Sequence, residues 1–224
     1  VLLSQAGLQL TFVIALYLWA AHSPATASVL EVGARLPDLN IDNRGELLVH
    51  DGEVQYRPWS YPQQTGKVHI VQYMAATRTA GDLHKPFRDR LDTDLPANSF
   101  STTTILNMDE AIWGTGGFVI SELKSNKKLY PEAVMVVDEE GLGVKRWALD
   151  DDSAALIIVD SRGTVRYVKQ GSMSAAEVDS TLALILDYVN QQAPQASRLS
   201  HEPRRATPAA PAARQQSRHK GAGS

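Results

Sequence analysis

The chain of 224 residues contains no cysteine. That excludes a disulfide, a thiolate nucleophile, a thiol redox couple and any metal site built on Cys ligands. Aromatic residues are few, 7% of the total, so a core has to come mainly from Val, Ile and Leu, which occur in short runs. Also missing is an apolar run of about 20 residues, the length a transmembrane helix needs. His50, His69 and His84 lack zinc spacing. Asp150-Asp151-Asp152 lacks the spacing and the glycine of an EF-hand loop. No Gly-x-Ser-x-Gly or His-Glu-x-x-His occurs. No resident metal and no cofactor are therefore expected.

What is present is unevenly spread. Residues 8–21 are apolar and uncharged, and Ala25-Thr26-Ala27 has the small-x-small form of a signal-peptidase site. Residues 1–27 read as a secretory signal cut after Ala27, although the basic start of such a signal is absent and the first residue is Val. An uncleaved anchor is the alternative. The expected setting is the periplasm, with no stable membrane span after cleavage. From Ser28 to Gln192 there are 16 Lys and Arg against 24 Asp and Glu, giving −8. From Ala193 to Ser224 there are 6 against 1, giving +5. Residues 28–192 form one domain of a size that buries its own core. Its acidity makes a poor nucleic-acid surface, so no nucleic acid is expected as a partner. Residues 193–224 are basic, rich in Pro and Ala and without periodicity, and are expected to be disordered.

Along the domain, Pro37 keeps its predecessor extended, and Asn43-Arg44-Gly45-Glu46 reads as a turn into Leu47-Leu48-Val49. Residues 51–65 look irregular, with Trp59 and Tyr61 covering a core edge. Residues 68–75, 102–106 and 133–137 read as strands. Residues 82–95 read as a helix with Pro86 in its first turn. Residues 118–129 read as another, with Phe118, Val119 and Leu123 inward. Residues 142–149 form an edge strand or a loop around Trp147. A hairpin turns at Asp160-Ser161-Arg162-Gly163 between residues 156–159 and 165–168. A last helix over 174–191 opens on a Ser174/Glu177 capping box and carries an apolar stripe of Val178, Leu182, Ile185, Leu186 and Val189. The order β-α-β-α-β-β-α is α/β: a central mixed sheet flanked by helices, with an N-terminal extension.

The segment Gly66-Lys67-Val68-His69-Ile70-Val71-Gln72-Tyr73-Met74-Ala75, followed by Ala76-Thr77-Arg78-Thr79-Ala80-Gly81, is similar to the way redox members of the thioredoxin-like fold present Cys-x-x-Cys at a helix start. Laid on that pattern, the cysteines fall at Arg78 and Gly81. The position that resembles the fold's cis-proline is Ala154, where a trans bond is expected because a non-proline cis bond costs about 2.5–4 kcal/mol. Four stretches, Ile41 to Leu47, Gly66-Lys67-Val68, Thr102 to Ile112 and Ser125 to Pro131, closely resemble the YtfJ family of periplasmic thioredoxin-like proteins. The resemblance covers Val32 to Val189. It implies a fold and a compartment but no settled chemistry, and it leaves the tail unaccounted for.

Two loops are candidates for binding. Thr77 and Arg78 open a helix, where free N–H groups and Arg78 favour a small anion; the ordinary reading is a turn with an exposed arginine. Asn107, Asp109 and Glu110 follow a parallel strand, and Trp113, Gly114, Thr115 and Gly116 lead into the next helix. Open α/β sheets bind ligands at such carboxyl ends, glycine lets a backbone approach closely and Trp113 offers an apolar wall. The ordinary reading is a turn with acids near a helix start. Thr77, Arg78, Asn107, Asp109, Trp113, Gly114, Thr115, Gly116 and Ala154 are thus the expected ligand-binding face. The leading reading is a non-catalytic binding or interaction module for an envelope protein or small ligand. One alternative is an envelope enzyme or metal-dependent activity centred on Asn107, Asp109 and Glu110. The other, transcriptional regulation, is opposed by the signal and the acidic domain.

Overall fold

The computed structural model describes residues 30–62, 66–96 and 98–200. The expected signal, residues 1–27, and the tail beyond Ser200 lie outside the described residues. The elements in chain order are β1 (Asn40–His50), β2 (Glu53–Ser60), β3 (Val68–Ala75), α1 (Arg78–Leu83), α2 (Lys85–Asp94), β4 (Phe100–Asn107), α3 (Gly116–Leu129), β5 (Val134–Asp138), α4 (Leu142–Trp147), β6 (Ala154–Val159), β7 (Val165–Gln170) and α5 (Ala175–Ser200).

The strands make one sheet of order β2-β1-β5-β4-β3-β6-β7. β3 pairs β4 and β4 pairs β5 in parallel; β6 is antiparallel to β3 and β7 to β6. A parallel β-α-β half closed by an antiparallel hairpin and a final helix is the thioredoxin-like arrangement, as expected.

β3 and β6 are buried at every position, because both faces of the sheet are covered. Val68, Ile70, Leu156 and Ile158 face α2 and α5, packing against Phe87, Leu91, Val178, Leu182 and Ile185. The alternate residues Val71, Tyr73, Ala155 and Ile157 face Trp147 of α4 with Leu36, Leu39, Trp59 and Tyr61. Trp59 and Tyr61 therefore do cover core, and their rings and that of Trp147 meet edge to face.

Four expectations are corrected. Residues 51–65 are not irregular throughout: β1 and β2 are a hairpin turned at Asp51 (φ 50°) and Gly52 (φ 79°). Asp-Gly with both φ positive is the I′ turn whose twist suits a hairpin. The expected turn at residues 43–46 is a bulge inside β1, between Ile41 and Glu46, with Arg44 and Gly45 at positive φ. A side chain on Gly45 would overlap the Arg57 carbonyl, so glycine is required there. The helix expected over 82–95 is two helices broken at His84; Pro86 stands at the start of α2, where its missing N–H costs nothing. Residues 142–149 hold α4, framed by left-handed Gly141 and Ala148. Gly143 and Trp147, four apart, share its buried face, and a Cβ on Gly143 would overlap the Tyr73 ring.

The capping box of α5 forms as expected: the Ser174 N–H donates to Glu177 Oε2 (2.8 Å) and the Glu177 N–H to Ser174 Oγ (3.3 Å). The hairpin turn is held by Asp160, whose Oδ1 accepts from the N–H of Arg162 and Thr164 while Arg166 forks onto Oδ2. α5 continues past Gln192 to Ser200. No helix of the described residues is long and apolar enough to cross a membrane.

Candidate functional site

The parallel strands β3, β4 and β5 end at one edge of the sheet, and the antiparallel β6 begins there. Each expected site residue lies at this edge, but they do not form one surface. Thr77 is the cap of α1, its Oγ1 accepting from the Ala80 N–H at 3.2 Å. Arg78 is exposed at the first position of α1. Ala154 is fully covered, paired with Met74, and its peptide bond is not cis.

Asn107 is buried at the end of β4, and its Oδ1 accepts from the Asp109 N–H (3.1 Å). It also bonds the Glu110 carboxyl, which burial pushes above the usual carboxylate range, against the opposing pull of the Asp152 backbone N–H that the carboxylate accepts. Asp109 turns outward to Lys145 at 3.6 Å. Asn107 thus shapes the loop, while the two acids have different partners, Lys145 for Asp109 and Asn107 with the Asp152 N–H for Glu110. Among the described residues no three His, Asp or Glu are placed to hold a metal ion.

The β4–α3 connection does form a concave surface. Arg44, Met108, Ile112, Trp113, Gly114, Gly116, Gly117, Ile120 and Glu139 are among the residues that border an open depression of about 400 Å³. Trp113 is 97% exposed, Ile112 62% and Phe118 72%. Phe118, expected inward, therefore points out, while Val119 and Leu123 are half-buried. Gly114 at φ +84° makes the turn that lifts Trp113 off the domain, and Thr115 ties the turn by donating its hydroxyl to the Ile112 carbonyl (2.7 Å).

Of the expected residues, Trp113, Gly114 and Gly116 border this depression; Asn107, Asp109 and Thr115 support its loop; Thr77, Arg78 and Ala154 do not line it. Arg44, Met108, Ile112, Gly117, Ile120 and Glu139 were missed. Arg44 is delivered by the β1 bulge, pairs with Glu139 and lies 5.6 Å from the centre of the Tyr56 ring. The Arg-Gly of the bulge was the available sequence signal. Below it, the buried Lys127 donates to the carbonyls of Pro131 (2.7 Å) and Ala133 (2.5 Å), so the basic end of α3 is a structural clamp.

The chain has relatives among known proteins. The chain is 36% identical over 162 residues to a protein of Escherichia coli (strain K12) called YtfJ and described as uncharacterized, covering 72% of this chain and 88% of that one. It is 28% identical over 164 residues to an uncharacterized protein of Haemophilus influenzae, covering 73% and 89%. Among solved structures, the thioredoxin domain of a thiol-disulfide oxidoreductase from Bacteroides vulgatus is similar at 13% identity and TM-score 0.47, over 70% of this chain and 99% of that one. A peroxiredoxin-like protein from Aquifex aeolicus is similar at 13% identity and TM-score 0.45, over 71% and 90%. The family model described as "Bacterial protein of unknown function (YtfJ_HI0045)" matches residues 30–188. The chain, a thioredoxin-like domain without cysteine, belongs to the YtfJ_HI0045 family of bacterial proteins.

Proposed function

We propose that this protein is a non-catalytic binding module of the bacterial periplasm that takes its partner on the depression beside Trp113. The observation that carries this reading is the Trp113 side chain, 97% exposed on a glycine turn, with exposed Ile112 bordering the same depression. Large apolar side chains held exposed at a concave surface mark an interaction site more often than a solvated face. The depression is open, whereas small-ligand sites enclose most of their ligand, so a segment of another chain fits it better than a small molecule. The engagement of Asp109 by Lys145, and of Glu110 by Asn107 and the Asp152 N–H, supports binding over an acid–base or metal-dependent activity. The secretory character of residues 1–27 supports the compartment.

Amide and indole NMR spectra of the full chain, titrated with soluble envelope extract, test the face. The Trp113 indole and the amides of residues 114–117 are expected to shift, and a Trp113→Ala variant to lose the effect. Shifts confined to the opposite edge around Asp160 would refute it. N-terminal sequencing of protein from the envelope fraction is expected to begin near Ser28; a cytosolic chain still carrying Leu8 would refute the compartment.

A further inference from the structure

We infer that His84 is an acid-released latch on α1: protonation of its buried ring frees the helix from the end of β7 and uncovers the part of the sheet edge that the helix covers.

α1 is six residues long, too short to hold itself as a helix. It buries one side chain, Ala80, and rests on β3, β6 and α2. Side chains keep it in place. The Thr77 hydroxyl caps its start. Near its end, Arg88 of α2 donates Nη2 to the Gly81 carbonyl at 2.6 Å. His84, the residue between α1 and α2, pairs Nε2 with the Gly171 carbonyl at 2.8 Å. Gly171 directly follows β7, so this bond ties the helix break to the far hairpin of the sheet. α2 has its own anchors, with Phe87 and Leu91 in the core and Arg90 paired with Asp179 of α5. Release is therefore confined to α1.

The His84 bond is the one that acid can break. A carbonyl only accepts, so Nε2 carries the hydrogen and Nδ1 is the bare nitrogen. His84 is fully buried, and Nδ1 has no hydrogen-bond partner among the described residues. A proton taken from solvent onto Nδ1 creates a buried donor without an acceptor and a buried charge. Burial holds the pKa of the ring below 6.5, against the Gly171 bond and with Arg88 and Lys169 adding to the fall. The carboxylates around it are committed or exposed. Glu177 of α5 takes Lys169 at 2.6 Å, Asp89 of α2 takes Lys85 at 2.5 Å, and Asp82 of α1 is exposed. β6 has no charged side chain, and His69 and Tyr73 of β3 lie on the other face of the sheet with Tyr61 and Trp147. Above pH 6.5 the ring is neutral whether α1 is closed or open, and the latch holds. Below pH 6.5 the open state binds a proton that the closed state refuses, so closure weakens as pH falls.

Hydrogen exchange of the full chain between pH 7.5 and pH 5, corrected for the intrinsic pH dependence of exchange, tests this. The amides of residues 78–84 are expected to lose protection several-fold while β3, β6 and residues 178–189 keep theirs. Ring nitrogen NMR at pH 7.5 should find His84 as the Nε2–H tautomer. His84→Gln keeps a donor for Gly171 but cannot titrate, so its α1 should stay protected at pH 5. His84→Ala has no donor, and its α1 should be open at both pH values. Protection of 78–84 that does not change in the parent overturns the inference. So does a loss shared equally with β3 and residues 178–189, which is global unfolding, or the same loss in His84→Gln. An Nδ1–H tautomer at pH 7.5 also overturns it.

Discussion

His69 sits in the core with its ring stacked on Tyr61 at 5.5 Å and its Nε2 paired with Thr103 Oγ1 at 2.9 Å. Burial lowers its pKa from 6.5 to about 4, and burial lowers that of His84 as well. Between those values the unfolded chain binds a proton that the folded chain refuses. Stability is therefore complete above pH 6.5 and is lost as pH falls from 6.5 towards 4. A shift of this size corresponds to roughly 3 kcal/mol for His69. Urea midpoints of the full chain should fall steadily from pH 7 to pH 4.5, and His69→Gln should flatten much of that slope. An unchanged slope in the variant would show that His69 is not the source. At Gly143 the constraint is steric: the Tyr73 ring occupies the place of a Cβ, while the Tyr73 hydroxyl donates to Asp138 Oδ2 at 2.8 Å. Gly143→Ala should cost about 1–3 kcal/mol, the usual range for overpacking, read as a lower urea midpoint at pH 7.

α3 packs against β1 and β2 and buries only Lys127 completely. The Lys127 ammonium takes the place of two absent N–H donors, at Pro131 and Ala133. Lys127→Met keeps the apolar stem but strands both carbonyls. The expected loss is about 1–3 kcal/mol, with hydrogen exchange rising first in α3 and in the 130–133 turn. A variant as stable as the parent would mean that water satisfies those carbonyls. The hairpin of β1 and β2 was legible in Asp51-Gly52, but its period-2 pattern is blurred by Pro58 and by the polar face of an edge strand. α4 was hidden for another reason. Six residues hold too few turns to show a helical period, and its burial depends on Tyr73, seventy residues earlier in the chain.

On the scale of the whole molecule, the buried residues of the two core clusters, among the described residues, lie between Leu36 and Val189. The Pro-, Ala- and Arg-rich composition of residues 201–224 offers too little apolar surface to offset the entropy of ordering them, so ending the chain after Ser200 should leave the melting temperature nearly unchanged, and a large drop would place part of the tail in the core. The chain as a whole should also be inert in thiol exchange. With no thiolate, neither disulfide reduction nor peroxide removal can begin by the thiol route. Insulin-reduction and peroxide-consumption assays on the pure protein should match buffer, and activity that follows the protein through purification would overturn this.

The sequence alone determined the central sheet. The unbroken apolar runs of β3 and β6 have to be covered on both faces, the Ser174/Glu177 box has to start a helix, and the absence of cysteine removes thiol chemistry wherever the chain folds. Those are local or compositional constraints, readable over a few residues. The binding face was only half legible. Trp113 and its glycines stand together in the chain, so they could be named from it. Arg44 and Glu139 join them only because a bulge in β1 and the end of β5 are brought side by side by strand pairing. The outward turn of Phe118 was likewise decided in three dimensions, because α3 rests on the hairpin by the flank that carries Lys127 and Lys124, the Lys124 ammonium standing 5.5 Å from the centre of the Tyr56 ring. An amphipathic pattern says that one side of a helix is apolar; which side meets the sheet depends on what the sheet presents.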